Sequence, residues 1–287
     1  MSSRFLNGLF GPDVPVWACE LTPRRAVVVR ASDDRLSMRA RASAPVKPGA
    51  LVADLKDANV VDSAELRSAV GRSLDEAGFF GSDLVLVVPD DAVRVALIDV
   101  ESFPSAPAEQ LAFIRWKFKK NVPFDVGSAR VSWDRIDANG AIRLLTALAP
   151  ESIIRQYEEV VESFGLHAGL VLPSTLAALG LFPASGGDLL FVKKGPDVIT
   201  TSILTDGKIR FYRKVAVQGL YEAAYPTFMY YQDKLGGAAL TGVVLSGEDI
   251  GPDERAELEQ GLGMRAETLF SREIDDIFKP SLGALQP

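Results

Sequence analysis

Two kinds of hydrophobic pattern alternate along this chain, short runs with a period near two and longer stretches with a period near 3.6. Residues 14–21, 26–31 and 36–42 read as strands. A helix follows, opened by Asp62 with Glu65 three positions on and carrying Leu66, Val70, Leu74 and Ala77 on one face; residues 84–88 then return to a strand pattern. The order recurs later: strands at 189–192, 198–204 and 209–217, a helix near 220–235, a strand at 243–246. A repeated strand, strand, strand, helix, strand order at domain scale predicts duplication.

A different pattern separates the copies, over residues 83–170. Strands are predicted at 83–89 and 93–100, then a helix with Ser105 as N-cap, Pro107 in its first turn and Leu111, Ile114 and Phe118 at helical spacing up to Pro123. Strands at 129–136 and 141–148 precede a second helix with Ile153, Ile154, Tyr157, Val160, Val161 and Phe164 on one side, stopped by Gly165; residues 166–172 follow as a strand. Short strands around one-faced helices predict a small α/β layer. The expected organisation is an N-terminal tail (1–13), a first half (14–82), an inserted subdomain (83–170) and a second half (171–287), which begins with a helix returning to the first half and ends in a C-terminal helix. Near the end an N-capped helix is expected at 253–262 and a short strand near 264–269.

Composition narrows the function. With 287 residues, 47% of them hydrophobic and 24% charged, the chain has enough core for a soluble globular protein of two domains. A net charge of -7 and a pI near 5.0 oppose general nucleic-acid binding, which needs a dominant basic surface. One cysteine and one histidine rule out an intrachain disulfide and a His/Cys metal cluster, and the reducing cytoplasm fits best. No apolar run approaches a membrane span; Phe5, Leu6, Leu9 and Phe10 lie at helical spacing beside Arg4, enough for a short amphipathic contact.

Most conspicuous polar residues have structural readings. Cys19 lies in an apolar strand and is expected in the core. His167 follows a glycine turn and is expected at a strand edge. Asp90 and Asp91 follow Pro89 between strands and read as a turn rather than a catalytic carboxylate pair. Lys117, Lys119 and Lys120 read as a solvated helix face, Trp116 and Phe124 as core or subdomain-interface residues. The run Phe228-Met229-Tyr230-Tyr231, close behind Pro226, must be partly exposed or face another subdomain.

Against this background the first hairpin, Trp17 to Arg30, resembles the first phosphate-binding hairpin of the actin-like ATPases. Glu20, Leu21 and Thr22 fall on that superfamily's Asp-hydrophobic-Gly, and Thr22 with Pro23 are poor substitutes for a glycine turn that must let phosphate approach the backbone. Leu86 to Val95, Phe113 to Phe124, Ala149 to Tyr157 and Phe164 to Gly169 resemble the PilM family, cytoplasmic actin-like proteins of type IV pilus assembly. Phe278 to Leu285 resembles the final helix of that family. The resemblance implies a duplicated α/β actin-like, ribonuclease H-like fold with an inserted α/β subdomain. It places Lys193-Lys194-Gly195 on the second Asp-hydrophobic-Gly, whose carboxylate helps hold magnesium and the hydrolytic water. A lysine there repels the metal. Ser246 and Gly247 keep the start of the adenosine-contacting Ser-Gly-Gly, but Glu248 replaces its last glycine.

The resemblance therefore implies a degenerate nucleotide site at Glu20, Thr22, Lys193, Gly195, Ser246 and Gly247, with neither a metal ligand nor a catalytic residue and with ATP–magnesium as the only cofactor in question. It implies a scaffold at the inner membrane of a pilus or secretion-type machine, binding the cytoplasmic N-terminal segment of a bitopic, PilN-like partner in a groove between the first half and the insert. The groove's walls are expected from residues 94–98, the helix of 112–124 and the edge of the first half, with Arg94, Ala96, Ile98, Trp116 and Phe124 as contact residues. A homo-oligomer and a complex with a pilus or secretion ATPase stay open. The rivals are an active actin-like ATPase in which Glu20 acts for the missing aspartate, and a filament-forming FtsA-like protein.

Overall fold

The sequence Trp17–Leu21 (β1) is apolar except for one glutamate and buried at every position, so it needs cover on both faces and neighbours on both edges. The computed structural model describes residues 14–136, 142–182, 187–235 and 239–286. The tail of residues 1–13, with its amphipathic pattern, lies outside them. β1 pairs antiparallel with Arg25–Ala31 (β2), which pairs antiparallel with Met38–Pro45 (β3); on its other edge β1 runs parallel to Asp83–Val88 (β4). The helix Ser63–Ala77 (α1) makes the crossover between β3 and β4. Its N-terminus is capped by the Asp62 carboxylate, which accepts from the N–H groups of Ala64 and Glu65, and it ends at Gly78 in the left-handed region, φ 63°. The predicted capping box is only half formed, because the Glu65 carboxylate accepts from the Lys47 N–H at 3.2 Å instead.

After β4 a 3-10 turn at Asp90–Ala92 leads out of the first sheet into Arg94–Val100 (β5), Pro107–Phe118 (α2), Ala129–Arg135 (β6) and Ile142–Pro150 (β7). The chain returns through Glu151–Glu162 (α3) to His167–Pro173 (β8), parallel to β4, and then Ser174–Leu179 (α4). The second half runs Asp188–Lys194 (β9), Val198–Thr205 (β10), Lys208–Ala216 (β11), Leu220–Lys234 (α5), Gly242–Gly247 (β12), Pro252–Leu262 (α6), Ala266–Thr268 (β13) and Lys279–Gly283 (α7).

The two large sheets have the same plan. Their orders are β3-β2-β1-β4-β8 and β11-β10-β9-β12-β13, each with two antiparallel pairs followed by two parallel ones. The helix between the third and fourth strands (α1, α5) and the one before the fifth (α3, α6) also correspond, so the duplication read from the pattern is present. The insert is smaller than the 83–170 expected: β4, α3 and β8 belong to the first half, and only the chain from Asp90 to Pro150 leaves its sheet. The sequence hides this boundary because an inserted strand and a returning strand have the same period-two signal. Two helix starts also differ. The N-cap of α2 is Ala106 rather than Ser105, and α6 begins at Pro252 after Gly251; neither has a side-chain cap, Pro at the first turn supplying the start.

The three-stranded sheet of the insert, β5-β7-β6, is covered by α2 on one face, where Ile114 and Phe118 meet Leu148, Ile98 and Trp133. From its other face Val95, Leu145 and Ala149 join the main core. Arg130 on β6 fixes the insert to the first half: its guanidinium donates to both carboxylate oxygens of Glu151 at 2.6 and 2.7 Å and grips Glu158 as well, both acids lying on α3.

Buried α4 and α7 cross where their chains come closest. A Cβ on Gly283 would lie 2.2 Å from the Ala177 carbonyl oxygen, and one on Gly180 2.1 Å from the Gly283 carbonyl oxygen. Backbone on both sides leaves nothing flexible to give way. Gly283→Ala is expected to cost about 3 kcal/mol, the upper end for overpacking, seen as a lower urea midpoint with unchanged slope; a midpoint within error of the parent refutes the close crossing.

Candidate functional site

The six residues expected at a degenerate nucleotide site, Glu20, Thr22, Lys193, Gly195, Ser246 and Gly247, all line one cavity between the halves. Its free volume is about 50 Å³. That holds a few waters, each needing about 10–15 Å³, and is far below the roughly 300–1,000 Å³ of pockets for drug-sized ligands.

What fills the space is the protein's own charge. β1 ends at Leu21, and in the turn to β2 the Thr22 hydroxyl oxygen accepts from the N–H groups of Arg24 at 3.2 Å and Arg25 at 3.0 Å. Those are the backbone donors that a phosphate would need. The arginines themselves cross to the second half, Arg25 pairing with Glu248 at 2.7 Å and Arg24 with Asp249. In the opposite direction Lys193, buried on β9, reaches Asp90 at 3.5 Å, and Lys214 on β11 reaches Asp91 at 2.8 Å and donates to the Asp90 carbonyl oxygen at 2.6 Å. Of these pairs Lys193–Asp90 has both partners in the cavity lining, and the other three lie at its margins, with cations contributed by the hairpin on one side and by β9 and β11 on the other.

Asp90 is both the turn residue expected and the centre of this network. Its carboxylate accepts from the Thr175 N–H at 2.8 Å and the Thr175 hydroxyl at 2.7 Å, capping α4, whose own N-cap, Pro173, has no side-chain acceptor. The sequence shows Asp90 only as a turn and does not single out Arg24, Arg25 or Lys214, because a turn acid and strand or hairpin bases are ordinary surface residues until the fold faces them. Glycine at 247 serves the strand pairing: φ is +136° and a Cβ would stand 2.2 Å from the Lys194 carbonyl oxygen.

At the position where the resemblance implies a metal-linked carboxylate stands Lys193, whose ammonium pairs with Asp90 and opposes a second cation, so the residues present do not fit a magnesium–nucleotide complex. Glu20 is buried and accepts from the Ser174 hydroxyl at 2.6 Å. Burial pushes its carboxyl up to about 7, against the partial pull of Lys193 and Ser174, with Glu248 and Asp90 adding like-charge repulsion. Glu248 is raised too, again chiefly by burial, opposed by Arg25 and Arg24. Beside Glu20, Cys19 is core as expected, its thiol held at about 12 by burial.

A second cleft lies between the first half and the insert, of about 120 Å³, bounded by Leu170 to Pro173 on β8, by Ile154 and Leu176, and by Arg130, Ser132, Ala147 and Ala149 on β6 and β7. β8 and β6 are both edge strands. The five expected contact residues are elsewhere. Arg94 and Ala96 border a third cleft, toward the second half; Ile98 and Phe124 pack in the insert core under α2; Trp116, expected in a core or interface, is 67% exposed on the outer side of α2. The reason is the sheet order: β5, α2 and their side chains lie away from β8, and β6–β7 face it. His167 is an exposed strand-end residue 3.4 Å from Asp83, and Lys117, Lys119 and Lys120 are exposed, as expected. In the run after Pro226, Tyr231 is buried and donates to Asp188 at 2.6 Å, while Tyr230 is 41% exposed.

Comparison with known structures agrees with this architecture. The chain matches a protein of a PilM–PilN type IV pilus biogenesis complex with a TM-score of 0.76 at 17% identity, over 96% of this chain and all of that one. It matches a Bacteroides thetaiotaomicron protein with an actin-like ATPase fold at a TM-score of 0.60 and 11% identity, over 93% of this chain and 94% of that one. The cytoplasmic domain of EpsL, an inner membrane component of the type II secretion system of Vibrio cholerae, gives 0.51 at 12% identity, over 80% and 81%. The fold is therefore actin-like. No protein-family model matches the sequence, and no curated protein matches it. No helix among the described residues is long and apolar enough to cross a membrane.

The raised Glu20 carboxyl has a pH signature. Between its ordinary 4.5 and about 7 the folded protein keeps a proton that the unfolded chain has lost, so this contribution is full below 4.5 and disappears as pH rises through 7. Glu20→Gln, which keeps an acceptor for Ser174, is expected to be the more stable protein at pH 8 by about 1–3 kcal/mol and to converge with the parent near pH 5. Equal stability at both pH values in urea titrations refutes the buried-acid account.

Proposed function

We propose that this protein is a scaffold on the cytoplasmic side of a type IV pilus or related secretion-type envelope machine, attached to the inner membrane through a bitopic, PilN-like partner and without ATP hydrolysis. The observation that carries the reading is the contrast between two clefts. The one between the halves holds the buried Lys193–Asp90 pair and is flanked by three further ion pairs, whereas the one at β8 and β6 is largely apolar, with strand edges on either side. The likeness to a chain of a PilM–PilN complex over nearly the whole length supports the same choice.

The docking mode follows from edge-strand physics. An extended N-terminal segment of the partner adds to the free edge of β8, its backbone pairing with residues near Leu170–Leu172 and alternate side chains entering the apolar pocket of Ile154, Leu172 and Leu176. Arg130, tied to α3 by Glu151 and Glu158, keeps the opposite wall in place, so little ordering is left for the moment of binding. A pseudo-ATPase is the consistent partner of this mode. Catalysis of phosphoryl transfer is positioning and charge stabilisation, and a fixed ammonium at Lys193 opposes the metal that supplies both.

Two experiments test the reading. Isothermal titration of synthetic N-terminal segments of the membrane proteins encoded beside this one is expected to give micromolar binding, weakened at least about tenfold by Ser132→Trp, a substitution at an exposed groove position; no affinity for any such segment refutes the scaffold assignment. Purified protein is expected to release no phosphate from ATP with magnesium above background. Magnesium-dependent turnover abolished by Glu20→Ala reverses the pseudo-ATPase reading and promotes the enzyme.

A further inference from the structure

We propose that the cleft between β5 and β11 is a second docking site, distinct from the groove at β8, and that its ligand is an extended acidic segment of another protein. β5 is the outer strand of the insert sheet and β11 the outer strand of the second large sheet, so two strand edges face one another across the opening. The space between them is about 400 Å³, the size of a cleft that holds several side chains. Among the described residues no backbone hydrogen bond joins the two strands, and on the β11 edge the Arg210 carbonyl oxygen accepts from the Arg143 guanidinium at 3.2 Å.

Charge sets the chemistry of the occupant. Arg94, Arg143, Arg210, Arg213 and Lys214 line the cleft, against one lining acid, Asp99. Asp99 is taken by Arg143, at 2.5 and 2.7 Å, and Lys214 by Asp91. Arg94, Arg210 and Arg213 form no ion pair among the described residues, and the buried Nε of Arg210 and Nη1 of Arg213 have no hydrogen-bond partner. Buried guanidinium nitrogens without acceptors are costly unless a ligand supplies them, and carboxylates match a guanidinium in both charge and fork geometry. Such a concentration of cations stands out on a chain of net charge -7.

Shape and aromatic lining favour a peptide. Phe211 and Tyr230 stack with ring centroids 4.5 Å apart at the cleft, and the exposed part of Tyr230 offers an apolar surface for a side chain between acidic positions. A strand-like segment places alternate residues on the same side, so glutamate at every second position meets the arginines while its backbone runs along the edges. A long polyanion such as a nucleic acid is disfavoured. Its charge would extend beyond the cleft over an acidic surface, whereas a short segment stays within a Debye length, about 8–10 Å, of the arginines.

The test uses the full-length protein and fluorescence anisotropy with two labelled peptides, one alternating glutamate and valine around a central phenylalanine, the other with glutamine for each glutamate. The glutamate peptide is expected to bind at least about tenfold more tightly at low salt and to weaken as salt rises. Arg94→Glu and Arg213→Glu are each expected to reduce its affinity at least about tenfold. Arg94 is exposed, so its reversal leaves packing intact, and an unchanged melting temperature certifies the fold. Ser132→Trp, which blocks the groove at β8, is expected to leave this binding unchanged, so failure here and failure of the scaffold reading are distinguishable. The proposal is overturned by no binding of the glutamate peptide, by equal binding of the glutamine peptide, by full affinity in folded Arg94→Glu, or by loss in Ser132→Trp alone.

Discussion

The buried ammonium of Lys193 is the constraint on which the space between the two halves depends. An amine taken out of water needs a charged partner and cannot share its site with a metal, and here the partner is Asp90, buried at the end of β4. Because Asp90 also caps α4 through Thr175, the pair joins three things at one point: the strand that leads into the insert, the helix that leads out of the first half, and the central strand of the second half. The outer pairs, Arg25 with Glu248 and Lys214 with Asp91, are more exposed and individually weaker; their role is to set the orientation of the halves that Lys193 and Asp90 bring together.

Much of this was legible in the sequence where the signal is periodic. The buried strands β1, β4 and β9 and the one-faced helices α1 and α3 gave the duplicated plan, since hydrophobic period follows burial directly. The gathering of Glu20, Lys193 and Gly247 in one cavity was legible through the resemblance of their motifs to the actin-like ATPases. Two matters were not. The limits of the insert depend on which strand pairs with which, and pairing leaves no mark on a strand's own composition; β4 and β8 read the same whether they pair with each other or with the insert. The five expected contact residues fall away from the cleft between β8 and β6 for the same cause, because nothing in Arg94, Trp116 or Phe124 tells that β6, not β5, is the edge turned toward β8.

The contact across the mouth of the central cleft rests on residues that act together. Thr22 turns the hairpin N–H groups inward, which leaves Arg24 and Arg25 with side chains free to reach across; Glu248 and Asp249 are where those side chains arrive. Residues far apart along the chain thus form one arrangement of intramolecular charge in space.

The insert is held by Arg130 to α3 at its β6 edge and by Arg143 of its central strand β7, which donates to the Arg210 carbonyl oxygen at 3.2 Å, to the second half. The insert's three strands are hydrogen-bonded to one another along their lengths, so the two proposed docking sites border opposite edges of one sheet. Lys214 with Asp91 and the packing of Val95, Leu145 and Ala149 into the main core add to Arg130 and Arg143, so the insert is joined to both halves by charge and by apolar contact at once.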